Sequence, residues 1–230
     1  MTFQNWLGQL DFAYLLNIFI TVASALLCIM VHEICHGLTA YALGDPTAKR
    51  AGRLHFNPIR HIDVAGLILM VVMRFGWAKA VPVNPRNFKH PKRDMAITAL
   101  AGPLSNVVLA AVALLFYNVA FFFYLYLDGN EILRYLTLFF SYTAMLSTGL
   151  AVFNLFPIPP LDGSKVLFSV LPDRAYSQLL RYERYGMALL VVLLVTDVLD
   201  GPLLFLRQGL MHGLEAICSW PFDLLCQILL

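Results

Sequence analysis

Apolar positions along this chain come in long unbroken blocks, not in the spaced stripes of a water-soluble fold. The first block covers residues 12–43, and its only charged or imidazole side chains are His32, Glu33 and His36. As a single helix it would be about 48 Å long, well beyond a hydrocarbon layer of about 30 Å, so one end projects past the membrane face. Gly44-Asp45-Pro46 then stops it, with glycine as the C-terminal cap and proline just beyond. Further blocks at about residues 95–126, 133–156 and 185–206 each reach the roughly 20 residues a spanning helix needs. The acidic turn Asp128-Gly129-Asn130-Glu131 separates the second block from the third, and Pro157 ends the third. Residues 62–75 are mostly apolar but too few to cross, and they contain Gly66; a re-entrant or interfacial segment fits them. Residues 77–83 partly alternate, as an extended strand or a hairpin arm would. Residues 157–184 read as a loop. The stretch 207–230 is apolar but interrupted by His212, Glu215, Pro221 and Asp223, which suits an interfacial helix and a further crossing equally.

Composition sharpens this picture. Hydrophobic residues make up 60% of the 230 positions and charged ones 13%, against roughly half and a quarter in soluble domains. The expected fold is an all-α polytopic membrane protein, one membrane-embedded domain over 1–230 with its core at about 12–170 and additional C-terminal helices at about 185–230. Residues 1–11 lack a basic region and the apolar run after them is too long for a cleavable signal, so none is expected. Cys28, Cys35, Cys218 and Cys226 do not form a disulfide framework and read as reduced thiols. The net charge of +2 gives no electrostatic reason to expect nucleic acid as a partner. Its distribution is more telling. Almost all lysines and arginines fall in 45–61, 74–93 and 165–184. If 62–75 is re-entrant, these stretches share one side, which the positive-inside rule makes cytoplasmic. The 128–131 turn then lies outside.

Chemistry concentrates in His32-Glu33-Ile34-Cys35-His36. Histidines at i and i+4 lie about 40° apart around a helix, so both imidazoles reach one Zn²⁺. Glu33 is rotated further and can take a proton from a water activated by that ion. An acid near the centre of a membrane helix costs roughly 2.5–3.5 kcal/mol, so such a cluster is expensive unless it functions. A catalytic zinc needs a third protein ligand. Asp162 qualifies, since the prolines of Pro157-Ile158-Pro159-Pro160-Leu161-Asp162-Gly163 break the backbone at membrane depth, where irregular chain must line a site or be buried. An ordinary turn aspartate remains an equal reading. Asn154, just before the break, could donate to a carbonyl oxygen as charge develops on it. Cys28 lies one turn before His32 and competes as a thiolate ligand; Cys35 points away.

The chain resembles the site-2 protease family of intramembrane zinc metalloproteases. Two motifs carry the resemblance: the His-Glu-x-x-His helix at 32–36, and Asn-x-x-Pro-x-Pro-x-Leu-Asp-Gly at 154–163. Ala101-Gly102-Pro103-Leu104-Ser105-Asn106 resembles the family's Gly-Pro-x-x-Asn helix start. Residues 52–63 and 75–85 resemble loops of its small prokaryotic branch, except that Asp63-Val64-Ala65 stands where many relatives have a proline. The resemblance implies His32, His36 and Asp162 as ligands of one Zn²⁺ per chain, Glu33 as general base and Asn154 as a carbonyl-orienting residue. It also implies three spans around the metal, in a bacterial or archaeal cell membrane. No PDZ or CBS-type domain is expected in this length.

The expected activity is therefore hydrolysis of peptide bonds in or near transmembrane segments of substrate proteins, with those proteins and the lipid bilayer as partners. Substrate backbone must be extended, because helical carbonyls are already hydrogen-bonded. Residues 76–83 could offer a strand edge to hold it, or could be a basic headgroup-binding loop. A metal transporter would use the same ligands without needing Glu33, but it needs polar residues through several spans, and the other spans are nearly free of acids and histidines. A non-catalytic scaffold would not need an intact metal motif.

Overall fold

A computed structural model describes residues 12–58 and 79–229. Seven helices run through them: α1 (Phe12–Ala42), α2 (Thr47–Arg50), α3 (Pro91–Tyr126), α4 (Glu131–Leu155), α5 (Asp162–Ser169), α6 (Asp173–Val195) and α7 (Asp200–Leu229). No strand occurs among the described residues. The all-α membrane architecture stands, with α1, α3 and α4 each long and apolar enough to cross. The expected re-entrant segment at 62–75 and the first residues of the 76–83 stretch lie outside the described residues.

The three long helices form the core, α3 packing against both α4 and α1, and α1 against α4. Their shared faces are built from small residues, among them Ala110, Ala113, Ala144, Ala151 and Ser147, all buried. Lipid is as apolar as leucine, so these helices associate by close approach and interhelical hydrogen bonds, which small side chains permit. Ser24 Oγ donates to the Phe139 carbonyl at 3.2 Å and Ser147 Oγ to the Asn106 carbonyl at 2.9 Å. Large apolar side chains point outward instead: Phe19, Val108 and Ile132 are 69%, 63% and 71% exposed, as lipid-facing residues should be.

The ends of the core helices match the chain's punctuation. Gly44 sits at φ +106 after α1. Pro91 opens α3 four residues before the apolar block begins. Asn130 caps α4, its side chain accepting from the Ile132 and Leu133 amides.

Two expectations need correction beyond the core. Residues 157–184 are not one loop: they hold α5 and the first half of α6. Prolines and charges there mark breaks between short helices rather than missing helix, because Pro172 precedes α6 and blocks only the helix before it. Nor is 185–206 one straight span. The chain breaks after Val195, and the axes of 184–195 and 200–222 differ by 86°. Asp197 takes a left-handed φ of 55°, and Asp200, with Pro202 close behind, restarts the helix, a start signal buried inside an apolar block. α7 docks on the core: Met211, Leu214 and Cys218 pack on Ala113, Leu114 and Ala144, and Asn118 Nδ2 donates to the Cys218 carbonyl at 3.1 Å.

Candidate active site

His32 and His36 project from consecutive turns of α1 and are 5% and 8% exposed. Their rings meet edge to face with centroids 4.5 Å apart. Asp162 reaches them from the first turn of α5. Gly163 makes that approach possible, since a Cβ there would collide with the Leu155 carbonyl and lie 2.6 Å from the Phe156 oxygen, the backbone that ends α4. The proline break after α4 and the bare backbone at residue 163 together turn the carboxylate back toward α1.

The result is a triangle of electron-rich atoms. Nε2 of His32 and of His36 are 3.0 Å apart, and Asp162 Oδ2 lies 3.1 Å and 3.0 Å from them. His36 Nδ1 lies 2.7 Å from the Thr98 carbonyl oxygen, which can only accept. The proton of a neutral imidazole is thus held on Nδ1, leaving Nε2 as a lone pair. A lone pair facing a carboxylate oxygen and a second imidazole at this range is repulsive unless a cation lies among them. Tetrahedral zinc with bonds of about 2.0–2.1 Å spaces its ligands by roughly 3.3–3.4 Å, within a few tenths of an ångström of the observed edges. The donor set, two imidazoles and a carboxylate, is also one that catalytic zinc uses. Among the described residues these three form the one such group.

Glu33 stands beside the triangle and lines the same cavity of about 610 Å³, with Val81, Asn154, Lys165, Met187 and Leu190. Glu33 Oε2 accepts from the Val81 amide at 2.8 Å. Residues 79–84 therefore run across the cleft, unpaired by any strand among the described residues. Their far end is tethered by Asp45, which is fully buried after α1: Oδ2 accepts from the Asn84 amide at 2.7 Å, and Oδ1 from Asn87 Nδ2 at 2.6 Å and the Thr47 amide at 3.0 Å.

Asn154 lines the cavity but is engaged elsewhere, its Nδ2 donating to the Leu150 carbonyl at 3.0 Å, one turn back in α4. Cys28 is not drawn to the centre; its Sγ faces the Thr143 carbonyl at 3.5 Å. Two neighbours escaped the sequence reading. Lys165, one turn into α5, brings Nζ to 3.8 Å from Asp162 Oδ1 and had only the look of a loop charge. Asn106 places Nδ2 3.3 Å from His32 Nδ1; the Gly-Pro-x-x-Asn string was its one signal.

The peptidase family M50 pattern matches residues 125–196, the segment that carries Asn154, Asp162 and Lys165. A Bacillus subtilis protein named "Putative zinc metalloprotease YwhC" is 39% identical over 184 residues, 77% of this chain and 80% of that protein. Two mycobacterial proteins named "Putative zinc metalloprotease Rip2" are also similar. The one from Mycolicibacterium smegmatis is 29% identical over 79% of this chain and 68% of its own length. The one from Mycobacterium tuberculosis H37Rv is 27% identical over 86% and 77%. No solved structure matches. Identity of this extent across four-fifths of the Bacillus relative places the chain in peptidase family M50.

Proposed function

We propose that His32, His36 and Asp162 hold the zinc of an intramembrane metalloendopeptidase and that Glu33 is its general base. The observation that carries this reading is the convergence of His32 Nε2, His36 Nε2 and Asp162 Oδ2 within 3.1 Å of one another beside Glu33. The enzyme class, the multi-pass membrane setting and the zinc agree with the family and with the names of its relatives.

Zinc held by these three residues supplies Lewis acidity toward water and the scissile carbonyl. Glu33 takes the proton of the attacking water and returns it to the departing amine. Its bond to the Val81 amide keeps the carboxylate aimed into the cavity. Asn154 or the Lys165 ammonium donates to the carbonyl oxygen as negative charge develops. Asn154 gives one Nδ2 hydrogen to the Leu150 carbonyl and keeps the other for this role. Ala80, Val81 and Val83 line the cavity wall outside any helix, and an unwound segment of a transmembrane substrate lies against them. The whole chain works as one membrane domain of a cell membrane, with the basic loops cytoplasmic.

Glu33→Gln tests the base. The amide is nearly isosteric and is not a ligand, so purified variant retains about one zinc per chain while cleavage of a membrane substrate disappears. Proteolysis retained at the wild-type rate, with the substitution verified by mass spectrometry, overturns the assignment. A transporter would continue to move metal in the same variant.

A further inference from the structure

His32 Nδ1 has no backbone carbonyl as its recorded partner, unlike His36 Nδ1. It faces the side chain of Asn106, a residue 0% exposed in the middle of α3. His32 is the one hydrogen-bond partner recorded for that side chain among the described residues, and Asn106 Oδ1 is buried with none. A buried amide left half-unpaired in a membrane helix costs free energy, so the position of this asparagine calls for a reason.

α3 supplies one. Residues 98, 102 and 106 are spaced by four and so share a stripe. The Thr98 carbonyl receives His36 Nδ1. Gly102 leaves the middle of the stripe bare: a Cβ there would collide with the His36 ring and stand 2.7 Å from His32 Cε1. Asn106 completes the stripe at His32. Ser147 Oγ, donating to the Asn106 carbonyl at 2.9 Å, pins that turn of α3 to α4.

The orientation of the amide decides the tautomer. With Nδ2 toward the ring, His32 Nδ1 must be the acceptor, and the imidazole proton moves to Nε2, into the space the cation needs. With Oδ1 toward the ring, Nδ1–H donates and Nε2 is free. A half-turn about χ2 exchanges the two amide atoms and puts the orphaned oxygen on Nδ1. We infer that Asn106 is a positioning residue for the zinc centre: its side-chain oxygen accepts from His32 Nδ1–H and holds the imidazole in the tautomer that presents Nε2 to the metal. The inference rests on the metal-centre reading above. It makes one helix the support for both imidazoles, by a backbone carbonyl for His36 and by a replaceable side chain for His32.

Zinc affinity by chelator competition on detergent-purified protein tests it. Asn106→Leu, similar in volume but unable to accept, weakens zinc by about 10–100-fold, the usual effect of losing such a partner. Asn106→Asp, which accepts at the same place, binds zinc as the wild type does. An amide acting as donor would fail equally in both variants. The zinc-free wild type gives a readout independent of any substitution: ¹⁵N spectra of labelled histidine, assigned against His32→Ala, show His32 protonated at Nδ1. Wild-type affinity in Asn106→Leu, equal loss in Asn106→Asp, or an Nε2–H tautomer in the zinc-free protein overturns the inference. Wild-type protein without zinc affinity overturns the metal-centre reading with it.

Discussion

Among the three proposed ligands, Asp162 alone carries charge. Two neutral imidazoles leave both positive charges of Zn²⁺ uncompensated in a low-dielectric interior, where an unpaired charge is costly. Asp162 cancels one of them. Asp162→Ala should therefore weaken zinc binding by about 3 kcal/mol or more, over a hundredfold, while Cys28→Ala, whose thiol faces the Thr143 carbonyl, leaves it nearly unchanged. Metal titration of the two purified variants checks this, and the reverse order would replace the ligand set. At this scale His32, Glu33 and His36 were legible because helix geometry fixes the spacing of i and i+4 partners. Asp162 was legible only in part, since a Pro-Leu-Asp-Gly string serves a turn as well as a ligand. Lys165 was not legible at all, because its approach to Asp162 depends on where α5 docks, and the close packing of Gly163 on the end of α4 is a three-dimensional fact.

Among the elements, the irregular segment after residue 78 is anchored at its far end by Asp45. Burial pushes the Asp45 carboxyl up, but hydrogen bonds from Thr47, Asn84 and Asn87 outweigh that and hold it below the usual carboxylate range. A depressed folded pKa stabilises above the unfolded value, about 3.9 for aspartate, and is lost as pH falls through the folded one. The tether therefore stays intact at every pH above about 4 and gives way only in stronger acid. Asp45→Ala removes the acceptor of part-buried hydrogen bonds from Thr47, Asn84 and Asn87, worth about 1 kcal/mol each. The expected outcome is a lower melting temperature in detergent and faster hydrogen exchange at the Asn84 amide; exchange unchanged at Asn84 would remove Asp45 from this role. The alternating pattern at 77–83 suggests a strand or hairpin arm, but the described residues 79–84 form no strand. What alternation could not reveal is that the segment finds Glu33 and Asp45 instead of another strand. The loop reading of 157–184 failed because its prolines and charges divide helix without excluding it, α5 and α6 starting just after Leu161 and Pro172.

Across the whole molecule, charge and span order agree. α1 ends, α3 begins and α4 ends at the basic face, and the 127–130 turn lies at the other. Cysteines introduced at the exposed positions Lys89 and Glu131 should be labelled from opposite sides of the membrane by an impermeant reagent, Lys89 from the cytoplasm. Labelling of both from one side would overturn the topology. Block length alone gave the three core spans and a fourth at 185–206, because lipid imposes that length on each; the resemblance singled out the three around the metal. The 86° turn between α6 and α7 was not readable, because both arms are apolar and the bend depends on four residues between them.

The distance along the chain between the proposed ligands has a consequence for biogenesis. Asp162 follows His32 by 130 positions and His36 by 126. At about 5–20 residues per second, translation separates them by roughly 6–25 s. Throughout that interval the emerging polypeptide has two neutral imidazoles on its first inserted helix and no carboxylate to complete the centre. Until Asp162 has been made, the nascent chain is inert toward its neighbours at the insertion machinery. With the proposed ligands, competence requires the fourth helix to be seated and the fifth to have folded back, so zinc uptake would report on the closing of the three-helix core.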